Sequence, residues 1–112
     1  FPEGMSWTND NFVTWQGGIY SGGTGCAAFA FALSDAAFGS APARIHENYE
    51  NIRVGDILRI NNDTHSVIVL EVKESSVVVA EGNYNRSIHW GREIAKSKLP
   101  GEGNYITTRY PD

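Results

Sequence analysis

The chain has one cysteine, Cys26, in 112 residues. No internal disulfide can form, and no cysteine cluster has zinc-ligand spacing, so neither common staple of small domains is in use. Basic residues are scarce: nine Lys and Arg against thirteen Asp and Glu give a net charge of -4. A phosphate-binding face needs clustered Lys and Arg, so nucleic acid is not an expected partner. No apolar run approaches membrane-spanning length, and the first residues show no charged-then-apolar export pattern, so no membrane insertion is expected. A chain that starts at Phe1 is what a processed protein or an excised domain would present, which leaves the compartment open. The length suits one domain over 1–112, large enough to bury its own core, and a monomer is expected.

What the chain does have is an unusual setting for its cysteine. Gly22-Gly23-Thr24-Gly25-Cys26 leads into an Ala-rich stretch with Phe29, Leu33, Ala36 and Ala37 at helical spacing and Gly39 where a left-handed cap would end the helix. Cys26 thus falls in the first turn of a predicted helix. There the unpaired N–H groups and the positive end of the dipole favour an anion, so the thiol should ionise more readily than a free cysteine. A thiolate is the nucleophile of acyl transfer. The competing reading is a small buried hydrophobe, the commonest role of an isolated cysteine.

Residues 1–25, rich in Gly, Asn, Thr and aromatics, read as a long ordered loop with a short helical turn near Asp10 to Trp15. After the helix, a breaker at Ala41-Pro42 leads to a polar connection carrying His46, Glu47, Asn48 and Tyr49. The period then changes to that of strands: Val54 to Ile60, Ser66 to Val72 (apolar on both faces), Val77 to Glu81, Ser87 to Trp90 and Tyr105 to Tyr110, with polar turns between. The predicted class is α+β, an N-terminal helix carrying the cysteine packed on a small antiparallel sheet of about five strands.

A cysteine nucleophile needs a base. His46 lies in a polar, solvated segment, and His89 sits beside Trp90 in the late sheet, where it could pack or line a substrate. His65 stands at the start of the most apolar strand, directly after a turn, held by rigid structure with its ring near solvent. It is the preferred base. An imidazole also needs an orienting partner. Glu81 and Asn83 are two apart and share a face if the strand stays extended through Gly82. Either could accept from His65, and Asn83 could alternatively donate to a developing oxyanion.

Gly25-Cys26 opening a helix, then Val54-Gly55-Asp56-Ile57, His65-Ser66-Val67-Ile68-Val69 and Glu81-Gly82-Asn83, in that order, resembles the papain-like bacterial cysteine amidases and peptidases. Within that superfamily the pattern is most similar to the CHAP amidohydrolases, with NlpC-type cell-wall endopeptidases as near relatives. The match runs from Thr24 to Asn83. Ala27-Ala28 follow the cysteine where NlpC-type relatives commonly carry Ser-Gly. The resemblance implies a papain-like core, Cys26 as nucleophile, His65 as base and Glu81 as its orienting acid, with Asn83 matching a polar residue that often follows the acid. It also implies peptidoglycan or peptide amide bonds as substrate, an extracellular or cell-surface setting, and no cofactor or metal.

Trp7, Trp15 and Tyr20 precede the nucleophile, while Tyr84 and Trp90 follow the acid. As a group they are the expected substrate contacts, because aromatics with Asn neighbours suit stacking and hydrogen bonding to glycopeptides. Two other function classes fit the same residues: a non-catalytic glycan or peptide binding module with an inert Cys26, and an acyl transferase using the same Cys-His pair.

Overall fold

Turn chemistry divides the chain into its elements. In the computed structural model, which describes residues 1–111, two short strands come first, β1 (Phe12–Thr14) and β2 (Gly22–Thr24), and pair only with each other. Helix α1 (Gly25–Phe38) follows. It stops at Gly39, whose φ of 58° is in the left-handed region that favours glycine and whose N–H returns to the Asp35 carbonyl. Next come β3 (Arg44–His46), β4 (Ile57–Ile60), β5 (His65–Val72), β6 (Ser76–Tyr84), β7 (Ser87–Ala95) and β8 (Tyr105–Thr108). These six form one antiparallel sheet in the order β3-β8-β4-β5-β6-β7.

The α+β class agrees with the sequence reading, but three features differ. The sheet has six strands where about five were expected, because Arg44–His46, read as polar connection, pairs with β8. Strand β8 inserts between β3 and β4, a long-range pairing that no local pattern encodes. The helix is not the first element either. The helical turn expected near Asp10 to Trp15 is strand β1, whose hydrogen bonds come from Gly22–Thr24 across the intervening loop.

Strands β4, β5 and β6 distribute alternate side chains between two cores. Ile57, Ile68 and Ala80 face α1 and join Phe29, Phe31, Trp7 and Trp15. Leu58, Val67, Val69, Val77 and Val79 face the other way and pack with Ile106 and Leu99. A strand buried on both faces reads as a continuous apolar run, which is why Ser66 to Val69 shows no alternation. The helix is likewise buried on more than one side, since it lies between the β1-β2 pair and the large sheet. Four consecutive residues, Ala28 to Phe31, are consequently inside.

Two features set where the helix start and the strand ends meet. A Cβ on Gly82 would lie 2.5 Å from the Phe29 Cβ and 2.9 Å from Trp7, so glycine lets α1 approach β6 at that point. At the far end of the helix, buried Arg109 binds Ser34 Oγ (3.0 Å), Asp35 Oδ1 (2.9 Å) and the carbonyls of Gly39 and Ala41. It ties the residue after β8 to the negative end of the helix dipole. Along the outer edge of β7 the first residues add partial pairing. The Gly4 N–H donates to the Ile88 carbonyl, the Ile88 N–H to that of Met5, and the Trp7 N–H to that of Arg86.

Gly82→Ala should destabilise the fold by about 1–3 kcal/mol, the usual cost of overpacking a well-filled contact. A urea titration checks this, and an unchanged midpoint would show that the helix approaches the sheet less closely than described.

Candidate active site

The residue ahead of the cysteine is fixed from three sides. Gly25 has φ +60°, its N–H donates to the Asn11 carbonyl (3.1 Å), and its own carbonyl accepts from Trp7 Nε1 (2.8 Å). A Cβ at this position would also run into Asn9, so only glycine serves. Cys26 therefore enters the first helical turn in one defined orientation, half-buried. The N-cap residue Thr24 makes no side-chain cap, and the first turn holds no acidic residue, so no side chain competes with the thiol for the positive helix end.

His65 opens β5 on the thiol's flank, and the two groups shift each other's ionisation. Its Nε2 is 2.9 Å from Glu81 Oε1, which leaves Nδ1 for the sulfur. Glu81 is fully buried and also receives two bonds from Arg92, Nε to Oε2 and Nη2 to Oε1, both 2.8 Å. The carboxylate therefore meets two cationic partners, and their bonds hold its pKa below the ordinary value despite burial, which acts to raise it.

On the thiol's other flank stands Arg59 of β4. Its Nη1 is 4.0 Å from Cys26 Sγ and 2.9 Å from Ser66 Oγ. Asp63 fixes the guanidinium through Nε to Oδ1 (2.7 Å) and Nη2 to the backbone carbonyl (2.8 Å). Burial pushes the Cys26 thiol up, but the His65 hydrogen bond, the Ser66 N–H and the charges of His65 and Arg59 outweigh it and bring the thiol down to about 7. Burial pushes His65 down, while its bonds to Cys26 and Glu81 and their charges carry it up to about 9. Between those values the pair exists as thiolate and imidazolium.

Of the residues singled out from sequence, Cys26, His65 and Glu81 converge. Asn83 does not reach His65. Extending the Ile68↔Ala80 pairing of β5 and β6 would set it opposite the histidine, but the β6–β7 register shifts after Glu81 and Asn83 has φ 55°. Its side chain turns toward the helix start instead, donating from Nδ2 to Asn9 Oδ1 (3.0 Å) beside Gly25.

The aromatic group divides. Trp7 and Trp15 are each 5 % exposed and belong to the core, against the expectation of substrate contact, because Trp7 packs edge-on to Phe29 and Trp15 stacks on Phe31. Tyr20, Tyr84 and Trp90 are exposed at the surface. Tyr84 lies beside the His65 ring and beneath the Arg92 guanidinium. Trp90 packs against Phe29 and donates to the Phe1 carbonyl.

The other histidines are engaged elsewhere: His89 pairs with Glu3 (2.7 Å), and His46 Nδ1 accepts from the Asn48 N–H. Arg59 and Arg92 escaped the sequence reading. The available signal for Arg59 was a charge inside the otherwise apolar run Ile57-Leu58-Arg59-Ile60, two residues from the helix-facing Ile57. Comparisons with protein-family models, with curated proteins and with solved structures returned no match to this chain.

Thiolate absorbance followed across pH should rise near pH 7 in the native protein. In Glu81→Gln the imidazolium loses its negative partner and gains an unpaired Arg92 nearby, so His65 must titrate lower and the thiol higher, toward the 8.5 of a free cysteine. Arg59→Gln should raise the thiol in the same direction by a smaller amount. An unmoved titration in Glu81→Gln would refute the coupling of the three groups.

Proposed function

We propose that the protein is a cysteine-dependent amidohydrolase of CHAP type that cleaves peptide amide bonds, with the peptides of peptidoglycan as its substrate class. The observation that carries this reading is the electrostatic coupling of Cys26 to His65 together with the 2.9 Å bond from His65 to the buried Glu81. A nucleophile, a base and a group that orients the base stand in the order acyl transfer requires. The helix bearing the thiol and the antiparallel strands bearing base and acid also suit the papain-like arrangement that the sequence resembles.

In this reaction the Cys26 thiolate attacks the carbonyl carbon. Charge then develops on the carbonyl oxygen at the helix start, where the Cys26 backbone N–H is one donor and the Asn83 amide, held against Gly25 by Asn9, supplies the second. The His65 imidazolium gives its proton to the leaving amine as the C–N bond breaks. Neutral His65 next takes a proton from water, whose oxygen attacks the thioester, releasing the acid and restoring the thiolate–imidazolium pair. Glu81 keeps Nε2 protonated throughout and so holds Nδ1 toward the sulfur.

Incubation with purified peptidoglycan and mass spectrometry of the released fragments tests the reading, with an added amine to reveal any transfer in place of hydrolysis. Cys26→Ala should abolish fragment release while leaving the fold intact. His65→Ala should lower the rate by about 10²–10⁴-fold, whereas His46→Ala should leave it nearly unchanged. Full turnover by Cys26→Ala would end the proposal.

The native rate should climb through about pH 7 as the thiol ionises and fall beyond about pH 9 as His65 loses its proton. Asn83→Ala should depress the whole profile by about 10²–10³-fold without shifting it. A displaced profile would assign Asn83 to the histidine and not to the oxyanion.

A further inference from the structure

Beside the thiol lies a pocket of about 220 Å³ that no step above uses. Its apolar walls are Ala27, the residue after the nucleophile, with Phe31 and Ile57, and Tyr20, Arg59 and Tyr105 are among the polar residues that complete the lining. It stays open because small residues line it. A Cβ on Gly23 would come 3.0 Å from the Phe31 ring and 3.1 Å from the Ala27 methyl. Ser66 and Arg59, whose Nη1 is 4.0 Å from the Cys26 sulfur, border the pocket, so an occupant sits near the reacting atoms.

The tyrosine hydroxyls and the charged groups around it are already matched. The Tyr20 and Tyr105 hydroxyls bond to each other at 3.1 Å, and the Arg59 charge is met by Asp63 at 2.7 Å. A charged occupant would lose its hydration and find no unpaired counter-charge, whereas an aliphatic one displaces water from the walls and disturbs neither pair. The volume falls below the roughly 300–1,000 Å³ of pockets that enclose whole small molecules, so it suits one side chain.

Resting on the amidohydrolase reading, we infer that this pocket receives the uncharged aliphatic side chain of the substrate residue that contributes the scissile carbonyl. Specificity would then reside in Gly23, Ala27 and Ile57, and not in the exposed Tyr84 and Trp90.

The test uses chloromethyl ketones of N-acetyl-leucine, N-acetyl-glutamate and N-acetyl-lysine, with iodoacetamide as a reagent that carries no side chain. In each ketone the thiolate attacks the chloromethyl carbon, a C–S bond forms, the C–Cl bond breaks and chloride departs. Labelling of Cys26, read by mass spectrometry over time, should be about tenfold or more faster with the leucine ketone than with either charged one. In Ala27→Leu and Gly23→Ala, which fill the pocket, the ratio of leucine-ketone rate to iodoacetamide rate should fall at least fivefold.

Rapid iodoacetamide labelling with three equal ketone rates, or with a charged ketone preferred, overturns the pocket assignment and leaves the nucleophile standing. Failure of every reagent, iodoacetamide included, overturns the nucleophile and the pocket's role with it. If both filled variants fail to fold, the native series alone decides.

Discussion

A carboxylate with no exposure to solvent is affordable only where its charge is met, and Glu81 is met twice. Arg92 grips both oxygens from β7, while His65 touches one from β5, so three adjacent strands must hold their relative positions for the charge to stay satisfied. Removing either partner would leave a buried charge short of a counter-ion, a far larger penalty than losing a surface ion pair. The same demand places the histidine. Its ring cannot swing away from the thiol without giving up the bond to Oε1. Packing on the other side, where Gly82 admits Phe29, brings the helix start to the strand end that carries this carboxylate.

The thiol is consequently flanked by unlike cations. His65 shares a proton with it and titrates, whereas Arg59 is a fixed charge tethered by Asp63 and cannot give up its proton in water. The first can act as acid and base; the second only biases the equilibrium toward thiolate. Because Arg59 also bonds Ser66, whose N–H favours the thiolate as well, one guanidinium supports both the charge and the strand that faces it.

Those parts of the fold that depend on neighbours in sequence were legible. Phe29 and Leu33 at helical spacing, Gly39 as the cap, the Asn61-Asn62-Asp63 turn and the apolar run from Ser66 each declare an element within a few residues. Cys26, His65 and Glu81 stood out because each sits at the beginning or end of such an element. What depends on distant pairing was not legible. Arg92 reaches Glu81 from a register position opposite Val79, across an irregularity in β6 and β7. Asn83 left its expected face because a single left-handed residue interrupted the alternation. Trp7 and Trp15 looked like surface aromatics since their own segment carries no period. Their burial comes from α1, against which that segment folds.

Strand β7 closes one side of the large sheet, and at its start the Ile88 N–H and carbonyl are taken by Met5 and Gly4. An open edge is a template on which another polypeptide can grow, and proteins suppress that with short cover segments and charge. Here the leading residues serve as the cover at the strand's start and the later part of the strand carries Arg92 and Glu93. The segment that supplies Trp7 to the core thus also guards the molecule against self-association by strand addition, so loss of its grip would show first as aggregation.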